Sequence, residues 1–382
     1  MSVSRTRPIA RGRPVRGQRV RAFALLSFAH AGAVVVADRK ACPVRIEENA
    51  PMINKARVGL AGDPDSAWRL VADIGGTSAR FALADDYGAL QGHETLSCED
   101  YDGPAEAARA YLSGRDVSSI REAAFAVATP VYADRISFTN RASWSFSVSG
   151  LGQQLGVTQC RVINDFTALA LSIPRLDREW VVPVSEHGRR TADAPLAVIG
   201  PGTGLGATGV IPTKHGWHAL AGEGGHATLA PADEREVDLL AILTRQFGHV
   251  SSERVLSGPG LVNLYNANCE LSGVAADDLE PADITERALS GECDICVTVV
   301  DDFFAMLGTA TGNLVLTLGA RGGAYIGGGI VPRLAERIGS SRFRERFEAH
   351  GRLSDYLADV PCYMVTAPYP ALEGALASLS SV

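Results

Sequence analysis

Two stretches of this chain share one pattern: an apolar strand, a glycine turn and a second apolar strand. The first is Trp68-Arg69-Leu70-Val71-Ala72-Asp73-Ile74-Gly75-Gly76-Thr77-Ser78-Ala79-Arg80-Phe81-Ala82-Leu83. The second is Pro195-Leu196-Ala197-Val198-Ile199-Gly200-Pro201-Gly202-Thr203-Gly204-Leu205-Gly206-Ala207-Thr208-Gly209-Val210-Ile211. In both, the run after the glycines is too short and too alternating for a helix, so each predicts a hairpin. That excludes a Walker A loop, which needs a following helix and a Gly-Lys-Ser/Thr end. Gly204-x-Gly206-x-x-Gly209 spells the dinucleotide fingerprint, with Glu223 downstream, but it runs into the strand Val210-Ile211-Pro212 where that motif must open a helix. Two such hairpins, one early and one mid-chain, indicate a duplicated α/β domain with a phosphate held between its halves.

A hairpin turn with glycines can bind phosphate through its backbone N–H groups, with the Thr77 hydroxyl assisting. Asp73 beside it suits a Mg2+ ion held through water, since that cation keeps much of its hydration shell. Taken alone, Asp-Ile-Gly-Gly-Thr is equally a plain hairpin turn carrying an aspartate. A third glycine turn, Gly322–Gly329, leads into a helix and leaves the room an adenine or ribose would need.

Between the hairpins, the spacing predicts strands at 123–128 and 135–139, a polar loop at 139–144 and a helix over 148–155. Trp144 either lines a sugar site or anchors that loop in the core, the commoner use of tryptophan. Cys160–Leu171 reads as a strand ending at Asn164-Asp165 and passing straight into a helix. Asp165 can serve as an N-cap there; a carboxylate at a strand's C-terminal end is also where α/β folds place ligands. The stretch Gly222–Leu261 concentrates glycine around Glu223, His226 and Glu253, which lets backbone approach a small polar ligand while the acids accept its hydrogen bonds. Its plain alternative is a pair of surface turns. Helices are expected over 233–247 and over much of 283–316, where Gly308 and Gly312 fall at helical spacing and suit close helix packing.

At 382 residues the chain has length for two domains. Its net charge of −7 divides unevenly: residues 1–51 carry +7, leaving −14 for the remainder. An acidic body argues against nucleic acid as a partner. Seven cysteines are scattered, and the Cys293-x-x-Cys296 pair lacks the second pair a four-ligand zinc site requires; both are expected as thiols at the start of a helix, in a reducing, cytoplasmic compartment. Residues 1–21 hold seven arginines and no acid, then the apolar run 22–37 follows. That pattern fits a signal peptide or, given the body it precedes, a disordered extension or an upstream start. The run is short for a membrane span, and no comparable apolar stretch is expected later.

Taken together, Asp73–Thr77, Val162-Ile163-Asn164-Asp165-Phe166-Thr167-Ala168, Gly200–Gly206, Gly222–His226, Glu253–Asn263 with Tyr265, and Gly327–Arg333 resemble bacterial ATP-dependent glucokinases, in order and spacing from about Arg69 to Leu379. The resemblance implies a two-lobed actin-like, ribonuclease-H-type α/β fold with mixed sheets and flanking helices. Residues 1–66 would be a disordered N-terminal extension, 67–175 with 367–382 one lobe, and 176–366 the other. It implies phosphorylation of D-glucose at the 6-hydroxyl by ATP with Mg2+, Asp165 acting as general base. Glucose would be held by Asn164, Asp165, Glu223, His226 and Glu253. The nucleotide would lie on Ala72, Asp73, Ile74, Gly75, Gly76 and Thr77, on Gly202, Thr203 and Gly204, and on Gly327, Gly328 and Gly329. Homodimers are common in that family, and no nucleic-acid or membrane partner is implied. Ser78 departs from the pattern, which usually has Asn there. Rival readings are a hexose kinase of another sugar preference, a ROK-type kinase or repressor, whose Cys-rich zinc motif the chain lacks near Gly222–His226, a sugar-sensing module without catalysis, and an actin-like ATPase.

Overall fold

A computed structural model of the chain describes residues 68–117, 119–138, 144–185 and 187–380. The N-terminal extension and the loop at 139–143 lie outside the described residues. Strands β1 (Trp68–Ile74), β2 (Ser78–Ala84) and β3 (Leu90–Ser97) form a meander; helix α1 (Pro104–Ser113), β4 (Ile120–Val127), the small hairpin of β5 (Arg135–Ser137) and β6 (Ser145–Ser147), helix α2 (Val148–Leu155), β7 (Gln159–Asn164) and helix α3 (Asp165–Ser172) follow. After β8 (Val181–Pro183), a second meander runs through β9 (Leu196–Pro201), β10 (Leu205–Thr213) and β11 (Gly216–Ala219). Then come helices α4 (Glu234–Phe247), α5 (Gly258–Ser272), α6 (Pro281–Ser290) and α7 (Asp294–Leu318), strand β12 (Ala324–Ile326), and the short helices α8 (Ile330–Arg333), α9 (Ala335–Ile338), α10 (Phe343–Glu348) and α11 (Ser354–Ala358). Strand β13 (Cys362–Val365) and helix α12 (Pro370–Ser380) complete the order.

The two sheets repeat one topology. The first runs β3-β2-β1-β4-β7, and the second runs β11-β10-β9-β12-β13 with β8 added at its edge. In each, the first three strands pair antiparallel and the fourth and fifth join parallel. Both glycine hairpins therefore occupy the same place in their sheets, as the repeated sequence pattern requires.

Alternation along the strands decides the layers. Leu70, Ala72 and Ile74 of β1 face a core with Phe81, Phe125 and Tyr111, beneath α1 and α2. Val71 faces the other way, with Ala82, Ala84, Ala124 and Ala126, onto Leu372, Ala375, Leu376 and Leu379 of α12. Burial on both faces is why β1 reads as a nearly continuous apolar run. In β9, Ala197 and Ile199 face the large core beneath α4, α5, α7 and α10, whereas Leu196 and Val198 face Leu169, Ala170 and Leu171 of α3. Helices α3 and α12 thus lie between the sheets. A Cβ on Gly374 would stand 1.6 Å from the Ala168 carbonyl oxygen, so these two helices touch backbone to backbone.

Much of 283–316 is helical, as expected, in two pieces: Gly291, at φ 73°, ends α6 in the left-handed conformation that favours glycine, and Cys293 caps α7 with its sulfur. One sequence expectation is corrected. Helix α7, 25 residues, is long and apolar enough by composition to cross a membrane, contrary to the expectation of no such stretch. Here it is the central core helix, with Phe303, Phe304 and Leu307 fully buried and Asp301 and Asp302 paired with Arg337 and Arg235. Gly308 and Gly312 do admit a neighbour, for their missing Cβ atoms leave room for the α10 carbonyls of Phe343 and Phe347. Trp144 is the core anchor: it is 2% exposed, and its Nε1 donates to the Tyr101 carbonyl at 3.0 Å.

Candidate active site

The residues singled out in the sequence fall on the ends of the two sheets. Ala72, Asp73 and Ile74 end β1, and Gly75, Gly76 and Thr77 turn the chain into β2, closed by the Gly75 N–H donating to the Ser78 carbonyl at 2.9 Å. That closure uses Ser78 backbone, so the turn forms whichever side chain stands there. Opposite Asp73 in the hairpin register is Arg80, whose guanidinium donates to Asp73 Oδ2 at 3.0 Å. Burial pushes the Asp73 carboxyl above its usual range, with Arg80 acting against the shift. Arg80 was not singled out in the sequence, although counting residues across the predicted turn places it beside Asp73.

Asn164 and Asp165 stand where β7 gives way to α3. The cap is Asn164, not Asp165: its Oδ1 accepts the N–H groups of Phe166 and Thr167 at 2.9 and 3.1 Å, as an extended N-cap residue does. Its Nδ2 donates to Asp165 Oδ1 at 3.0 Å and to the Thr129 carbonyl at 3.4 Å. With both amide hydrogens and both oxygen lone pairs engaged, Asn164 orients its neighbour. Asp165 is freed from capping. Burial first, and the charge of Asp73 second, push its carboxyl up to about 6, against hydrogen bonds from the Phe166 N–H and Asn164.

Phe166 joins this corner to the second sheet. A Cβ on Gly206 would lie 2.1 Å from the Phe166 ring, and one on Gly200 2.5 Å from it. Those two glycines make room for protein. The same holds for Gly327, against Leu169, and for Gly328, at φ 79° against the Pro201 carbonyl. In contrast, the Cβ positions of Gly75, Gly202 and Gly329 meet nothing closer than 3.6 Å. These three turns are where a ligand can approach backbone.

The polar set gathers at the start of β10. Gly224 and Gly225 press the 223–226 loop onto β10, their missing Cβ atoms facing the carbonyls of Ala207 and Leu205 at 2.7 and 1.9 Å. That leaves Glu223 and His226 exposed at the strand's edge. Glu253, in the turn after Ser251, reaches the same strand: its Oε2 accepts the Leu205 N–H at 3.0 Å, and its Oε1 lies 3.8 Å from His226 Nδ1. His226 and Glu253 therefore meet beside the Gly202–Gly204 turn, with Glu223 on the same loop as His226, while Asp73 and Asp165 form a second, electrostatically linked pair. Phe166, Thr129 and the Leu205 N–H complete the site and carry no signal of their own in the sequence, because each acts through packing or backbone.

Chemically, the site offers a base of raised pKa, acceptors and an imidazole for hydroxyl groups, and two equivalent glycine hairpin turns. Among the described residues no group of three or more His, Cys, Asp or Glu is placed to hold a metal ion directly.

The glucokinase family profile matches residues 70–382. A glucokinase of Paramagnetospirillum magneticum is 51% identical over 307 residues, covering 80% of this chain and 95% of that protein. The crystal structure of a glucokinase from an Antarctic psychrotroph superposes with a TM-score of 0.75 at 39% identity, covering 82% of this chain and 99% of the other. A ROK-family glucokinase from Streptomyces griseus, solved with glucose and AMPPNP, shares the fold at a TM-score of 0.55 and 18% identity, over 82% of this chain and 99% of that one. The architecture is the two-lobed actin-like fold of hexokinase-type sugar kinases, and the chain belongs to the glucokinase family.

Proposed function

We propose that the protein transfers the γ-phosphoryl group of ATP to the 6-hydroxyl of D-glucose. The observation that carries the reading is Asp165: a buried carboxyl, relieved of capping by Asn164 and raised to about 6. A hydroxyl in water is a poor nucleophile, and a base is most effective when its pKa lies near the working pH. Asp165 takes the proton of the 6-hydroxyl as the oxygen attacks the γ-phosphorus. Glu223, His226 and Glu253 accept from and donate to the remaining hydroxyls, and Asn164 fixes the base. A site built to pair hydroxyls rejects sugars lacking them, because its own polar groups are then left unpaired.

The 75–77 and 202–204 turns face the polyphosphate, with Ala72, Ile74 and the Gly327–Gly329 turn around the remainder of the nucleotide. Two carboxylates, Asp73 and Asp165, near one another and raised by burial suit a hydrated divalent cation, with Asp73 holding Mg2+ through water. When bound, that ion neutralises charge on the transferred phosphoryl group. The reading divides the chain into lobes of 67–175 with 367–382 and of 176–366. It also puts the protein in the cytoplasm, where ATP is available and the six described cysteines remain free thiols.

A coupled assay with ATP, Mg2+ and a panel of hexoses tests this. Glucose-dependent formation of glucose 6-phosphate is expected, and Asp165→Asn is expected to bind glucose yet lose turnover by about 10² or more. ATP hydrolysis without sugar dependence would overturn the reading in favour of an actin-like ATPase. Sugar binding without turnover would leave a sensor.

A further inference from the structure

Glu253 faces two ways. Its Oε1 is directed to His226, on the side assigned to the sugar, at 3.8 Å. Its Oε2 holds the Leu205 N–H at 3.0 Å, and Leu205 is the residue that leaves the Gly202-Thr203-Gly204 turn assigned to the phosphates. Gly204 must be glycine for this to happen, since a Cβ there would stand 2.6 Å from Oε2. The turn is gripped at its other end by the same segment: the Gly258 N–H donates to the Gly202 carbonyl at 2.8 Å. The segment between is itself rigid. Ser257, 2% exposed, donates to the Glu253 carbonyl at 2.8 Å and accepts the Gly260 N–H at 3.0 Å, capping α5. Residues 253–258 thus form a strap fastened to both ends of the glycine turn, with a proposed sugar ligand as one fastening.

We infer that Glu253 is a positioning residue for the nucleotide turn as well as a sugar ligand, so that glucose and nucleotide bind cooperatively through it. The inference rests on the kinase reading above. Its physical basis is ordering. A charge-assisted bond to a backbone N–H is stronger than a neutral one, and a glycine-rich turn loses much conformational freedom when it closes on a phosphate. Sugar hydroxyls that fix the Glu253 carboxylate fix the Leu205 N–H behind it, so part of that ordering is complete before nucleotide arrives. Linkage then makes the effect reciprocal: glucose tightens nucleotide binding by the factor with which nucleotide tightens glucose binding.

The test is nucleotide affinity without sugar, measured by titration calorimetry with AMPPNP. A side chain that only binds sugar leaves this quantity unmoved. Glu253→Ala is expected to weaken sugar-free AMPPNP binding about tenfold, the scale of one lost hydrogen bond, and to bring the glucose–AMPPNP coupling factor close to one. Glu253→Gln keeps an acceptor oxygen for the Leu205 N–H and is expected to restore sugar-free AMPPNP binding while still binding glucose weakly. Sugar-free AMPPNP affinity unchanged in Glu253→Ala overturns the inference. Should that variant fail to fold, Gly204→Ala tests the same link from the turn: its new methyl displaces the carboxylate, and nucleotide-free glucose affinity is expected to fall. Unchanged glucose affinity in Gly204→Ala overturns the inference and leaves the kinase reading standing; a wild-type chain that binds no AMPPNP removes both.

Discussion

Burial and the charge of Asp73 push the Asp165 carboxyl up to about 6, against about 3.9 for an aspartate in an unfolded chain. The native state therefore holds its proton more tightly than the unfolded one. Stability from this group is fully present below about pH 4 and is lost as pH rises to about 6, above which the deficit is constant. Asp165→Asn, which keeps the acceptor for Asn164 and cannot ionise, is expected to be more stable than the parent at pH 7.5, by on the order of 2 kcal/mol. The two are expected to be alike at pH 4. Thermal melts at both values check this, and equal stability at pH 7.5 would mean the carboxyl is not raised. The same titration governs activity: kcat/KM is expected to climb through about pH 6 to a plateau as Asp165 becomes available as a base. The group proposed as the base is one the fold would be steadier without.

Among the elements, the contact of α7 with α10 is set by Gly308 and Gly312. An alanine at 308 would put its methyl 2.2 Å from the Phe343 carbonyl oxygen, and one at 312 would meet the Phe347 oxygen at 2.7 Å and the His350 ring at 2.6 Å. Gly308→Ala is expected to cost about 2 kcal/mol or more in urea unfolding, since backbone cannot give way as a flexible side chain does. The intrinsic helix gain of alanine, about 1 kcal/mol, is already offset in that figure. Nearby, Arg346 is 4% exposed and pairs with the equally buried Glu236 at 2.8 Å and with Asp233 at 2.9 Å. Arg346→Met leaves Glu236 buried without that partner and is expected to cost roughly 3–5 kcal/mol; adding Glu236→Gln should recover part of the loss.

These elements also mark how far the sequence could be read. Both glycine hairpins, α2 and α4 follow from alternation and caps. The helix boundary at Gly291 did not, because apolar spacing continues across it and only the left-handed glycine with the Cys293 cap ends one helix and starts the next. In the site, Asp165 was legible as a carboxylate at a strand's C-terminal end, and His226 and Glu253 as isolated polar groups near glycines. Arg80 was missed because its meaning depends on register. Nor could the sequence say whose atoms fill the space beside a glycine: Gly200, Gly206, Gly327 and Gly328 make room for protein, and Gly75, Gly202 and Gly329 leave room for a ligand.

At the scale of the molecule, the chain's last helix belongs to its first sheet. Helix α12 covers Val71, Ala82, Ala84, Ala124 and Ala126 and lies against Ala168 of α3. A chain ending at Tyr369 keeps every strand yet leaves that alanine-rich face bare, and it is expected to bind the dye ANS and to lose its cooperative melt. During synthesis the same arrangement imposes a schedule. Between Ala126 and Leu379 the ribosome must add roughly 250 residues, which at 5–20 residues per second takes roughly 12–50 s. For that interval the first sheet waits with an open face while the later half, whose large core involves no strand of the first sheet, can close. The half made first is finished last, and a nascent chain of this protein exposes a sticky surface for most of its own translation.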